Sequence, residues 1–277
     1  MSKKVIALDA GHGMNTAGKR CLKTLDPDQT REWEINDRIV DIEQEILRDY
    51  DCVVIRSDDT TGKKDISLSA RCKTANNAGA VVFISHHANA GIKGKKIGYK
   101  GLPAGGTVVY YYSNEIERVR QAQNLYNSVI GKTGLIGDRA EKVSKKGYYV
   151  LKHTKMDAFL IENGFMDSPS DVPVILTDAH ARKTADGVVD FLVKEYGLQK
   201  KTSQNRPQQK PQGALYYPAY TGRKTTLSVA LQNLGIDYTY NFRTKIAAAN
   251  GIAGYRGTAA QNTQMYNLLV AGRLKKA

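Results

Sequence analysis

The sequence predicts an α/β fold followed by a small all-α unit. Three observations carry that expectation: short apolar runs alternate with amphipathic helical patterns through residues 1–199, a Gln-, Lys- and Pro-rich stretch without aliphatic residues occupies 200–213, and three helical runs each closed by glycine fill 214–277. Strands alternating with helices build a largely parallel sheet. In such sheets the functional groups collect where strands end.

Taken in order, KVIALD (4–9) reads as a buried strand running directly into Gly-His-Gly. REWEINDRIVDIEQEILRDY (31–50) reads as a helix whose apolar stripe is Ile35, Ile39, Ile42 and Ile46. CVVIRS is the second strand, and DISLSARCKTANNAG a helix with Leu68, Cys72 and Ala75 facing inward. AVVFISHHAN (80–89) is the third strand and ends in a histidine pair. GTVVYYYS (106–113), YYVL (148–151) and AFLIENGF (158–165) complete the strands, with helices over 115–131 and near 178–196.

The composition is ordinarily globular, 41% hydrophobic and 25% charged, which excludes a disordered or fibrous chain. No run of about 18 apolar residues occurs, so no membrane-spanning helix is expected. The N-terminus turns polar too early for a secretory signal. Cys21, Cys52 and Cys72 are an odd set that fits a reducing compartment of synthesis rather than a disulfide scaffold.

The net charge of +14 is uneven: 29 basic residues face 26 acidic ones in 1–199, four basic residues and no acids lie in 200–213, and eight face only Asp237 in 214–277. A nearly neutral large domain (1–199) is therefore expected to be tethered by an extended linker (200–213) to a small basic domain (214–277).

Three polar clusters fall at predicted strand ends: His12 between two glycines, His86 with His87, and Glu162 with Asn163. A carboxylate placed directly after four apolar strand residues is costly to bury unless it is paired or serves a metal or substrate. One lone histidine is more often structural than a ligand, but histidines from two strand ends together with carboxylates point to a metal. Catalytic zinc takes three protein ligands, so two histidines need one carboxylate. At about 100° per residue Glu32 lies near the isoleucine stripe, and so toward the sheet, whereas Glu34 faces water.

DAGHG at the N-terminus, Glu32-x-x-x-Asn36, Ser85-x-His87-Ala-Asn89 and Glu162-Asn-Gly-Phe165 together resemble the zinc-dependent N-acetylmuramoyl-L-alanine amidases of the amidase-3 family. The resemblance implies a twisted, mostly parallel six-stranded sheet flanked by helices. It also implies Zn2+ held by His12, Glu32 and His87, Glu162 as the catalytic carboxylate, and peptidoglycan as substrate. The bond it implies is the amide between the lactyl carbonyl of N-acetylmuramic acid and L-alanine. The ligand role goes to His87 because that residue directly precedes Ala-Asn; family members usually carry an apolar residue where His86 stands. Asn89 is expected to orient His87 or touch substrate, and Asn163 to fix its loop or touch substrate. His153 and His180 match no motif of the family.

The small domain is expected to be three helices, ending at Gly235, Gly251 and Gly272, with Thr258 and Gln261 at capping-box spacing. Its expected core is Leu227, Leu231, Leu234, Ile246, Ile252, Leu268 and Leu269. Tyr216, Tyr217, Tyr220, Tyr238, Tyr240, Tyr255 and Tyr266, with eight basic side chains, suggest a face that stacks on sugars and attracts phosphate. The segment 245–263 resembles the wall-targeting modules of phage and prophage amidases of Gram-positive hosts. The combined expectation is a phage or prophage endolysin that is made without an export signal in the host cytoplasm. It would act after release on peptidoglycan and an anionic Gram-positive wall, with no nucleic-acid partner and no membrane insertion. A host autolysin of the same chemistry, a zinc peptidase cutting the stem peptide, and a basic nucleic-acid-binding protein are the alternatives.

Overall fold

A computed structural model describes residues 3–201, 215–222 and 226–277. The chain forms two compact units, one of Met1–Leu176 with His180–Lys201, the other of Thr177–Ala179 with Thr202–Ala277. The linker expected at 200–213 lies outside the described residues, except for Lys200 and Lys201. Lys200 bridges to Tyr50, and the Lys201 N–H donates to the Asp49 carbonyl, so both belong to the large unit.

The large unit is built on a six-stranded sheet in the order β2-β1-β3-β6-β4-β5. Its strands are β1 (Lys4–Ala10), β2 (Cys52–Arg56), β3 (Val82–Asn89), β4 (Val108–Tyr111), β5 (Val143–Lys145) and β6 (Asp157–Phe165). β1, β2, β3 and β6 are mutually parallel, β4 runs antiparallel to β6, and β5 is parallel to β4. The helices are α1 (Glu32–Leu47), α2 (Leu68–Asn77), α3 (Ile116–Thr133), α4 (Tyr149–His153), α5 (Val172–Ile175) and α6 (Asp178–Tyr196).

Strand alternation divides the core into two layers. Ile6, Leu8, Val82, Ile84, Phe159 and Ile161 point to one face, where residues of α1, α3 and α6 such as Val40, Leu125 and Leu192 cover them. Ala7, Phe83 and Leu160 point to the other, under Cys72 and Ala75 of α2 and Val150 and Leu151 of α4. Each large side chain so buried stabilises the fold by about 1.5–3 kcal/mol relative to exposure.

Three details differ from the sequence reading. YYVL falls in the short helix α4, not a strand, and the strand that completes the six is β5, the triplet Val143–Lys145. A four-residue apolar run does not distinguish strand from helix, and a short edge strand needs no apolar alternation. Leu68, in the first turn of α2, is 52% exposed; the buried places there belong to Arg71, Cys72 and Ala75. Glu34 is half-buried rather than in water, because its carboxylate accepts the Arg31 N–H and closes the first turn of α1.

The small unit contains α7 (Leu227–Asn233), α8 (Tyr240–Ala249) and α9 (Ala259–Val270). Thr226, Thr239 and Thr258 cap them, each hydroxyl accepting the N–H three residues on, and the side chain of Gln261 completes the last box. Gly235, Gly251 and Gly272 follow these helices at φ of 67°, 72° and 65°. Leu227, Leu231, Ile246, Ile252 and Leu269 are buried together with Met265 and Leu274, whereas Leu234 and Leu268 are half-buried. Of the seven tyrosines, Tyr220 and Tyr255 join this core, Tyr217, Tyr238, Tyr240 and Tyr266 pack against it, and Tyr216 is 41% exposed. Six of the seven therefore serve packing, which thins the expected stacking face.

Candidate metal centre and active site

The site lies where β1, β3 and β6 end. His87 and Glu162 stand in register on neighbouring strands and so project from the same face, the one that α2 and α4 cover only in part. His12 follows β1, and Glu32 opens α1. Glu32 Oε1 is 3.0 Å from His87 Nδ1 and 3.4 Å from His12 Nε2, and the two imidazoles meet edge to face at 4.9 Å.

Close approach explains the glycines around His12. A Cβ on Gly11 would fall 2.2 Å from the His87 ring, and one on Gly13 would fall 2.9 Å from the Asp65 nitrogen. His12 itself adopts φ 68°, a left-handed conformation that a non-glycine residue holds only when its surroundings enforce it. Arg71 supplies that enforcement. Its guanidinium donates to the Ala10 carbonyl at 2.8 Å, the His12 carbonyl at 2.8 Å, the Asp9 carboxylate at 2.6 Å and the Ile66 carbonyl at 2.8 Å. Burial alone would push Asp9 up, but Arg71 and hydrogen bonds from Ser57 and Ser85 hold it below its ordinary value.

One ligand atom from each of His12, Glu32 and His87 lies within 4.8 Å of the others. Two imidazoles and a carboxylate are the donor set of catalytic zinc sites. Glu32 Oε2 is buried without a hydrogen bond, and Lys19 Nζ approaches it at 3.5 Å from the loop before α1, so an acceptor position of this carboxylate stays open to a cation. The residues therefore fit a zinc ion. Burial pushes Glu32 up, yet hydrogen bonds from His12 and His87 outweigh it and keep the carboxyl well below its usual range, ready as an anionic ligand.

Glu162 has the opposite electrostatics. Burial, and then the nearby Glu32 charge, push its carboxyl up to about 8, with Lys19 offsetting part of the rise. Its Oε2 has no hydrogen-bond partner. Tyr110 and Tyr148, edge to face at 5.3 Å, stand beside it, and burial followed by the Glu162 charge raises Tyr110 to about 12. One carboxyl held as an anion and a second that exchanges its proton near neutral pH thus stand at the same strand ends, their titrations pushed apart by their surroundings.

A model of the amidase-3 family, N-acetylmuramoyl-L-alanine amidase, matches residues 6–194. The chain belongs to this family. As a member it is an amide hydrolase acting on peptidoglycan. The amidase is 27% identical over 197 residues to the N-acetylmuramoyl-L-alanine amidase CwlM of Bacillus licheniformis, covering 70% of each chain. It is 28% identical over 209 residues to the endolysin of Bacillus phage SPP1, covering 74% of this chain and 70% of that one. Among solved structures, an N-acetylmuramoyl-L-alanine amidase from Clostridium difficile 630 superposes with a TM-score of 0.60 at 25% identity, over 71% of this chain and 98% of that one.

The amidase thus brings His12, Glu32, His87 and Glu162 to one place. Asn89 shares the cleft face and hydrogen-bonds Tyr110, while its Oδ1 accepts the Ala90 N–H at 2.8 Å. Asn163, expected among the substrate contacts, is instead 1% exposed on the opposite face, out of reach of a substrate in the cleft, where its Nδ2 donates to the His87 carbonyl at 2.9 Å. His180 is buried on α6 with Nε2 3.2 Å from the Asn163 carbonyl, and His153 stacks on Tyr149. Sequence reasoning missed Arg71, whose signal was a charged residue on the inward stripe of α2. It also missed Tyr110 and Tyr148, which carry no motif. No helix among the described residues is long and apolar enough to cross a membrane.

Proposed function

We propose that the chain is a zinc-dependent amidase that cuts between N-acetylmuramic acid and L-alanine, working as a phage or prophage endolysin. The observation that carries the chemistry is the cluster of His12, Glu32 and His87, whose ligand atoms lie within 4.8 Å of one another around a buried Glu32 carboxylate, with Glu162 across from it. His12, Glu32 and His87 would hold the zinc. When bound, zinc supplies Lewis acidity that activates water and takes up charge developing on the scissile carbonyl. Glu162 accepts the proton of the attacking water and delivers it to the departing alanine amine, a task its raised proton affinity suits. Arg71 keeps His12 in its strained conformation, and Tyr110 and Tyr148 wall the cleft beside Glu162.

The endolysin role is supported by similarity to the SPP1 endolysin over 74% of the chain. We assign wall retention to residues 214–277, on the strength of their eight basic residues against one acid. The test is mass spectrometry of fragments released from purified Gram-positive walls, with and without chelator. New N-terminal alanine with free muramic lactyl carboxylate, abolished by chelation, is the expected result. New termini within the stem peptide, or chelator-insensitive release, would contradict it.

A further inference from the structure

His86, the neighbour of ligand candidate His87, is fully buried on the far face of the sheet. Strand alternation turns the two consecutive histidines of β3 in opposite directions, and each meets a carboxylate of α1. Glu32 reaches His87 at 3.0 Å, and Glu43 Oε1 lies 2.9 Å from His86 Nε2. Eleven residues separate these glutamates, which at about 100° per residue leaves them about 20° apart on the helix. Glu43 is also fully buried. Neither His86 Nε2 nor the Glu43 carboxylate makes a hydrogen bond, so the two polar groups face each other as the nearest match in a buried setting.

The other side of His86 leads back to the metal pocket. His86 Nδ1 lies 3.3 Å from Asn163 Oδ1 and 3.2 Å from Asn163 Nδ2, and Nδ2 also donates to the His87 carbonyl at 2.9 Å. This link sits at a break in the ladder: between His87 and Asn89 β3 advances two residues, whereas β6 advances three, from Glu162 to Phe165. The extra residue is accommodated at Gly164, whose φ is 135°. At that irregularity the Asn163 side chain, not strand pairing alone, grips the peptide that carries His87.

The energetics argue that core stability does not explain this arrangement. Burying a histidine and a glutamate costs desolvation that their attraction often fails to recover, and two apolar side chains would fill the same volume with no such cost. We propose that Glu43, His86 and Asn163 form a positioning array for the metal centre: α1 anchors His86, His86 orients the Asn163 amide, and Asn163 fixes the backbone of His87. The array rests on the reading of His87 as a metal ligand.

The experiment uses the full chain and zinc itself, with chelator competition for affinity, the absorption spectrum of the cobalt-substituted protein for geometry, and the melting midpoint of the metal-free protein for stability. The variants are Asn163→Ala and the double replacement Glu43→Leu with His86→Leu. Partners behind a metal ligand typically contribute about 10–100-fold in metal affinity. The expected result is a loss of that size in both variants with an altered cobalt spectrum, while the midpoint of the double variant is unchanged or higher. Wild-type zinc affinity, to within about twofold, and an unaltered cobalt spectrum in Asn163→Ala would overturn the proposal, whether or not the double variant folds. Failure of the wild-type chain to bind zinc would instead remove the metal reading, and the array with it.

Discussion

Arg71 Nη2 donates to the His12 carbonyl at 2.8 Å, so a side chain on α2 fixes the backbone of a residue that follows β1. The same guanidinium neutralises Asp9 in an almost fully buried ion pair. Removing one partner of such a pair typically costs about 3–5 kcal/mol, because the other charge is left alone. Arg71→Leu is therefore expected to lower unfolding stability by that order in urea titrations. Arg71→Lys keeps the charge but gives up most of the guanidinium's fixed fork of donors. It should fold, yet bind zinc at least ~10-fold more weakly as His12 relaxes. Unchanged zinc affinity in Arg71→Lys would show that His12 needs no such clamp.

Glu162 makes stability fall as pH rises. In the unfolded chain its carboxyl titrates near 4.5, whereas in the fold burial and Glu32 raise it to about 8. Between these values the folded state holds a proton that the unfolded state has lost, so its stabilising effect is present below about 4.5 and is gone above about 8. Metal-free Glu162→Gln should accordingly be more stable to unfolding than wild type at pH 8.5, by on the order of a few kcal/mol, and match it at pH 4. Calorimetric scans of both proteins across this range check the sign. A Glu162→Gln advantage that persists at pH 4 would point to packing rather than protonation.

Wall retention should depend on salt. Six of the seven tyrosines of the small unit are engaged in or against its core, which leaves charge as the main means of holding a polyanion. Co-sedimentation of the full chain with purified walls is expected to weaken markedly between 0.05 and 0.5 M NaCl, over which the Debye length falls from roughly 14 to 4 Å. Retention indifferent to salt would return the role to stacking, with Tyr216 the exposed candidate.

Most of the sheet and its helices were legible because each obeys a local rule, and His12, Glu32, His87 and Glu162 stood out because they fall in the motifs of the family the sequence resembles. β1 is an apolar run with His12 just beyond its end, β3 an apolar run that carries His86 and His87 near its end, and the isoleucine stripe of α1 orients Glu32 toward the sheet. What stayed hidden depends on tertiary geometry. Arg71 looks like any helical arginine until Asp9 and the His12 carbonyl are placed beside it. Val143–Lys145 carries no apolar alternation, and its strand character comes from pairing with β4. The tyrosines of the small unit show no spacing that separates core from surface. Asn163 was read as fixing its loop, but its partner, the His87 carbonyl, could not be known before the register of β3 and β6.

The most direct test of the account measures zinc content and wall-fragment release together, for the wild type, His87→Ala and Glu162→Gln. The account predicts about one zinc per chain and active release for the wild type, as a three-ligand catalytic site requires. It predicts neither in His87→Ala, and in Glu162→Gln retained zinc with release reduced at least ~100-fold, as expected when an acid–base group is lost. Zinc retained in His87→Ala, or near-normal release by Glu162→Gln, would contradict it.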